Sequence, residues 1–123
     1  MFNHVMVGTD DIQAAKRFYD AVLGALGYGE GVMPTESRCF WRSPNGAFGV
    51  TTPIDGKAAT FANGGTIGFL ATSQDEVDAW HAAGLANGGV ACEDPPGVRA
   101  NGMYLAYLRD PDGNKICAVK RAG

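Results

Sequence analysis

Few side chains in this sequence are equipped for chemistry. The chain holds two histidines, His4 and His81, and three cysteines, Cys39, Cys92 and Cys117. An imidazole can move a proton or ligate a metal, and a thiolate can attack an electrophile or bind a soft ion. His4 and Cys117 each stand inside a short apolar run near one end of the chain, the setting of a strand. No sequence pattern supplies an orienting acid for either of them. No Ser-His-Asp order, phosphate loop or paired-carboxylate signature is present either. The cysteines are odd in number, widely spaced and free of C-x-x-C, which is the usage of reduced thiols rather than of a disulfide framework or a structural zinc site. Cys39 and Cys92 read as small apolar fillers, and His81, next to Trp80, as a packing or rim residue. Arg42 and Arg109 are placed to hold an anionic group at the mouth of a cavity or to sit solvated at a sheet rim.

The chain is written twice, and the second copy lacks the first copy's histidine. His4-Val5-Met6-Val7 recurs as Thr66-Ile67-Gly68-Phe69, and Phe18-Tyr19 recurs as Trp80-His81, both at an offset of 62 (66 − 4 and 80 − 18). Each copy ends in a hairpin signal, Arg42-Ser43-Pro44-Asn45-Gly46 and Arg109-Asp110-Pro111-Asp112-Gly113, at an offset of 67 (109 − 42 and 113 − 46). One domain over 1–123 is expected, with repeat 1 at 1–52, a linker at 53–65 and repeat 2 at 66–123. Each half alone is too short to bury a comfortable core.

Within each copy the order is strand, helix, strand, strand, strand. Residues 2–8 alternate and run into Thr9-Asp10-Asp11, a helix start. Ala14, Ala15, Phe18, Tyr19, Val22 and Leu26 then mark one apolar helix face. Strand-like segments follow at Tyr28–Met33, Arg38–Arg42 and Phe48–Thr52. In the second copy the strand Thr66–Ala71 leads to a Ser73/Glu76 capping box and an apolar face of Val77, Trp80, His81 and Leu85. Gly88-Gly89 stop the helix, and Val90–Glu93, Met103–Arg109 and Lys115–Lys120 complete the copy. The fold class is α+β: two βαβββ repeats forming a curved mixed sheet, whose helix-free face is a natural place for a small ligand.

Composition narrows the partners. A net charge of −3, with a pI near 5.2, argues against nucleic acid, and no run of apolar residues suits a membrane span. The chain reads at once into an apolar strand with no charged leader, so a cytoplasmic protein is expected.

Phe2-Asn3-His4-Val5, Arg17-Phe18-Tyr19 through Leu23-Gly24, and Arg109-Asp110-Pro111-Asp112-Gly113-Asn114-Lys115-Ile116 together resemble the vicinal oxygen chelate superfamily of glyoxalases, extradiol dioxygenases, fosfomycin-resistance transferases and bleomycin-resistance proteins. The resemblance covers nearly all of the chain. It implies metal ligands on the first and last strands of each unit, at His4, Val50, Thr66 and Cys117, where the usual occupants are His, Gln or Glu. It also implies a homodimer, paired side by side or by exchange of units.

His, Val, Thr and Cys fall short of the three ligands that a catalytic metal of this type needs. No cofactor is therefore expected. The alternative is a divalent Zn, Mn or Fe held by His4 and Cys117, with Tyr104, Tyr107 or a residue of a second subunit added. If Pro111-Asp112-Gly113 is a three-residue loop, Tyr107 opposes Cys117 and Leu105 opposes Val119. The same register in the first hairpin sets Phe40 opposite Val50 and Arg42 opposite Phe48. The expected wall is Met6, Phe40, Phe48, Val50, Leu70, Leu105 and Tyr107, with His4, Thr52, Thr66 and Cys117 as polar points. Trp41 then faces the helix. Arg99 resembles an arginine that follows a Pro-Gly pair in relatives, although the loop after it is shorter here.

Two functions from different classes follow. One is metal-independent binding of a small, partly aromatic molecule; the other is a lyase or dioxygenase of glyoxalase type using His4 and Cys117. A metal-free enzyme with His4 as base or Cys117 as nucleophile is a third.

Overall fold

Asp11 and Ser73 open the two helices. In the computed structural model, which describes all 123 residues, the Asp11 carboxylate accepts from the Ala14 N–H at 3.1 Å and the Ser73 hydroxyl from the Glu76 N–H at 3.1 Å. Glu76 reaches back to the Thr72 N–H at 2.8 Å, so the expected capping box forms with its return bond one residue earlier than Ser73. The helices are α1 (Ile12–Ala25) and α2 (Gln74–Ala86).

The first half supplies β1 (His4–Gly8), β2 (Val32–Thr35), β3 (Arg38–Ser43) and β4 (Gly46–Thr51), in the sheet order β1-β4-β3-β2. The second supplies β5 (Ile67–Leu70), β6 (Val90–Ala91), β7 (Gly97–Val98), β8 (Tyr104–Arg109) and β9 (Lys115–Lys120), in the order β5-β9-β8-β6, with β7 also pairing with β8. In each half the first strand runs parallel to the last, and the last two strands form an antiparallel hairpin. These are the expected α+β repeats. Within one chain they form two separate ladders, because no hydrogen bonds join β1 to β5.

The helices lie between the ladders and against each other. From α1, Phe18, Tyr19 and Val22 are fully buried, as are Val77 and Trp80 from α2. Each such side chain removed from water is worth about 1.5–3 kcal/mol. Gly84 lets the layers close: a Cβ there would overlap Leu108 Cδ1 and lie 3.2 Å from Val22 Cγ1. The halves also meet through an edge-on contact of Phe48 with Phe69, centroids 5.1 Å apart, and a bond from Asn114 Nδ2 to the Gly8 carbonyl.

Three local expectations are corrected. The second strand begins at Val32 rather than Tyr28, because Asp20 captures the Gly31 N–H at 2.7 Å and Lys16 bridges Asp20 to Glu30, which holds 29–31 as a loop over Trp41. Leu85 is exposed, since the buried stripe of α2 runs through Val77, Trp80 and Gly84 instead. The first hairpin is tighter than expected: Ser43 pairs with Gly46 across the two-residue loop Pro44-Asn45, whereas Asp110 and Asn114 bracket three residues.

Candidate functional site

The tighter loop moves β4 by one residue, and a one-residue slip reverses the face of every side chain on a strand. Phe40 therefore pairs with Gly49, Cys39 with Val50 and Trp41 with Phe48. Phe48 and Val50, expected in the cavity wall, belong to the helix-side core with Tyr19 and Trp41. Trp41 does face the helix, as its alternation with Phe40 requires. In the second hairpin the expected register is observed: Tyr107 opposes Cys117 and Leu105 opposes Val119.

Each ladder thus has one face turned away from the helices. In the first ladder, register and alternation place His4 and Met6 of β1, Ala47, Gly49 and Thr51 of β4, and Arg38, Phe40 and Arg42 of β3 on that face. The Phe40 ring and the Met6 methyl lie over Gly49: a Cβ there would come within 2.8 Å of the ring and 3.1 Å of Met6 Cε. The Arg42 guanidinium stacks on the Phe40 ring, 4.8 Å from its centroid. His4 is exposed, and its Nδ1 lies 2.8 Å from Asn3 Nδ2. An amide nitrogen can only donate, so Nδ1 accepts and Nε2 carries the ring's proton.

In the second ladder the outward face holds Gly68 and Leu70 of β5, Lys115, Cys117 and Val119 of β9, and Leu105 and Tyr107 of β8. Cys117 is buried, and burial pushes its thiol up to about 11. Lys115 pairs with Glu93 and lies 5.0 Å from the Tyr107 ring centroid. Glu93 takes this position from the left-handed region, at φ 56°. Thr66 is exposed, one residue ahead of β5.

Other candidates are engaged elsewhere. The Tyr104 hydroxyl donates to Asp78 at 2.7 Å and the side chain packs on the helix-side core, so Tyr104 is not on the outward face. The hydrogen bond from Tyr104 to Asp78 raises its pKa. Arg99 donates to the carbonyls of Asp94, Pro95 and Gly97, closing its own loop rather than facing a ligand. Arg109 donates to the Gly113 carbonyl and stacks on Phe61 at the hairpin tip. His81 is half-buried, and burial lowers its pKa.

The equivalence of the two halves also shifts. Met6 pairs with Gly49 as Gly68 pairs with Cys117, so Gly49, not Val50, is the counterpart of Cys117. The positions that correspond to a metal set are then His4, Gly49, Thr66 and Cys117. Gly49 has no donor, Thr66 offers a neutral hydroxyl, and the Cys117 thiol is held in its protonated form by burial. This donor set does not fit a catalytic divalent ion. No three His, Cys, Asp or Glu side chains converge within the chain. His4 and Cys117 themselves stand on different ladders, which the chain does not bring together.

Two halves of the βαβββ order, the second with the short extra strand β7, each with a parallel first and last strand, narrow the kinship, and sequence comparison decides it. A profile of the Glyoxalase/Bleomycin resistance protein/Dioxygenase superfamily matches residues 1–118. The chain belongs to this superfamily. A glyoxalase/bleomycin resistance protein from Albidiferax ferrireducens T118 is similar at 60% identity and a TM-score of 0.95, over 98% of this chain and 99% of that one. A glyoxalase-related enzyme from Fulvimarina pelagi shares the fold at 19% identity and a TM-score of 0.80, over 98% and 88% of the two chains. A putative glyoxalase from Bacillus halodurans does so at 23% and 0.79, over 98% and 96%. No curated protein matches the chain.

The residues that sequence reasoning missed on this superfamily scaffold are Ala47 and Gly49, the small positions beneath Phe40 and Arg42. The available signal was the residue after the hairpin glycine: Asn114 extends the second loop, whereas Ala47 already belongs to β4. No helix is long and apolar enough to cross a membrane.

Proposed function

We propose that the protein is a homodimer that binds a small, partly aromatic or apolar molecule without a metal, in a cavity between the first ladder of one chain and the second ladder of its partner. The observation that carries this reading is the placement of the outward faces. Each belongs to a separate ladder, and each ladder ends in an edge strand, β1 or β5, with one paired side. An exposed edge is a template for a further chain. Docking β1 of one chain beside β5 of a second covers both edges and sets Phe40 and His4 against the partner's Tyr107 and the partner's Cys117.

An apolar cavity of about 200 Å³ on the helix side supports the same pairing. It is lined by residues of both edge strands, Val5, Ile67 and Phe69, together with Trp41 and Phe48. A second copy would seal it as a shared core. Two features favour binding over catalysis: Asn3, not an acid, contacts His4, and burial pushes the Cys117 thiol up to about 11. Free thiols at Cys39, Cys92 and Cys117 suit a reducing cytoplasm.

Light scattering and a neutral apolar probe, N-phenyl-1-naphthylamine, test this. The expected results are a mass twice the 12.9 kDa of one chain and saturable probe fluorescence that EDTA dialysis leaves unchanged. A monomer, or binding that requires a divalent metal, contradicts the reading.

A further inference from the structure

On the outward face of the first ladder, one row crosses three strands: Arg42 pairs with Ala47, and Ala47 pairs with His4. The long side chains of Arg42 and His4 rise on either side of a methyl group. With strands about 4.8 Å apart, their Cα atoms stand about 10 Å from each other. That gap accommodates a carboxylate hydrogen-bonded at both ends.

The charge on this face is one-sided. Arg38 and Arg42 point outward from β3, and no acidic residue occupies an outward position on β1, β3 or β4. The ion pairs in the chain involve Lys16 and Lys115, and Arg42 joins none of them. Arg42 is exposed and has no carboxylate partner, so its charge is open to a ligand on this face. Its position is nonetheless fixed, because the guanidinium rests on the Phe40 ring. The guanidinium makes no hydrogen bond within the chain, so its N–H groups are free for bidentate carboxylate recognition. Asn3 adds a second donor by fixing the proton of His4 on Nε2.

We propose that this face recognises the carboxylate of a small aromatic or apolar acid, with Arg42 as the charged anchor, His4 Nε2–H as the second donor, and Phe40 with Met6 as the apolar bed. The proposal rests on the cavity reading above and assigns its ligand class. One guanidinium and one neutral donor offset a single negative charge, which selects a monocarboxylate over a phosphate dianion. Asn3 is a positioning residue: it acts through the His4 tautomer.

The test compares 2-naphthoate with its neutral isostere 2-naphthamide in titrations followed by NMR, using wild type, Arg42→Gln, Arg42→Lys and Asn3→Ala. Wild type is expected to bind naphthoate about tenfold or more tightly than naphthamide, since a charged hydrogen bond is at stake. Arg42→Gln should bring the two ligands level, and Arg42→Lys should recover part of the preference. Asn3→Ala should weaken naphthoate and alter the His4 ring nitrogen shifts, with a smaller loss for naphthamide, whose carbonyl is the weaker acceptor. Equal binding of both ligands by wild type, a preference that survives Arg42→Gln, or binding of neither overturns the carboxylate assignment. N-phenyl-1-naphthylamine separates the two levels. If it still binds, only the anion site has failed; if it does not, the cavity reading has failed with it.

Discussion

Tyr19 of α1 and Asp110 at the end of β8 share a 2.6 Å hydrogen bond in the buried seam between the two halves. The same carboxylate accepts from the Asn114 N–H, Asn114 Nδ2 and the Asp112 N–H, each at 2.9 Å. Burial raises the Asp110 pKa, while the Tyr19, Asn114 and Asp112 bonds pull it down without overcoming burial. The hairpin of the second half is thereby fastened to the helix of the first.

Tyr19→Phe should cost about 1–3 kcal/mol, the penalty of an unmet buried hydrogen bond. The cost depends on pH. The Tyr19 bond favours the ionised carboxylate, so its loss is felt least below the unfolded value of 3.8 and more as pH rises through the raised folded value. Urea melts of wild type and variant across pH 3–8 check this; a penalty that shrinks with rising pH contradicts it.

Asp20 shows the opposite sign. Burial pushes its pKa up, but bonds from the Gly31 N–H, Lys16 and Trp41 Nε1 outweigh burial and hold it below 3.8. Its contribution is therefore present above 3.8 and lost as pH falls through the lowered folded value. Asp20→Asn should destabilise the protein near neutrality, and the gap to wild type should narrow in acid. Thermal melts at pH 7 and pH 3 measure it.

Gly84 is where α2 meets both Leu108 and α1. Gly84→Ala should destabilise by about 1–3 kcal/mol through overpacking, despite the better helix propensity of alanine. Leu108→Val in the same chain removes the obstructing reach and should restore part of the loss, visible as a non-additive double-mutant cycle.

Gly49 and Val50 are neighbours on opposite faces, so their variants separate stability from binding. Val50→Ala opens a cavity in the core and should cost about 2–3 kcal/mol. Gly49→Ala forces Phe40 and Met6 off the sheet and should weaken naphthoate several-fold, with a much smaller change in melting temperature. The reverse pattern would return β4 to the register read from the sequence.

The repeat, both helices and the second hairpin were legible because their signals are local: Asp11 and Ser73 cap, Phe18 and Trp80 recur at one offset, and Asp110 to Asn114 encode their own loop. The first hairpin was not. Ser43-Pro44-Asn45-Gly46 looks like the second turn, and whether Gly46 ends the loop or begins β4 depends on pairing across the ladder. That one residue moved Phe48 and Val50 from wall to core and hid Gly49. Tyr104 and Arg99 were misplaced because their partners, Asp78 and the carbonyls of the Asp94–Gly97 loop, are set by tertiary contacts. Arg42 was legible as a candidate anion holder, but its stacking on Phe40 was not.

The central claim, a cavity shared between two chains, is tested most directly by complementation. Ala47→Trp blocks the first outward face and Val119→Trp the second, and each variant alone should remain dimeric while binding no N-phenyl-1-naphthylamine. After the two are unfolded and refolded together in equal amounts, half of the dimers are mixed, and each mixed dimer joins one unblocked first face to one unblocked second face. The account predicts recovery of about a quarter of the wild-type binding capacity. No recovery, with mixed dimers present, would mean that each site lies within one chain and would contradict it.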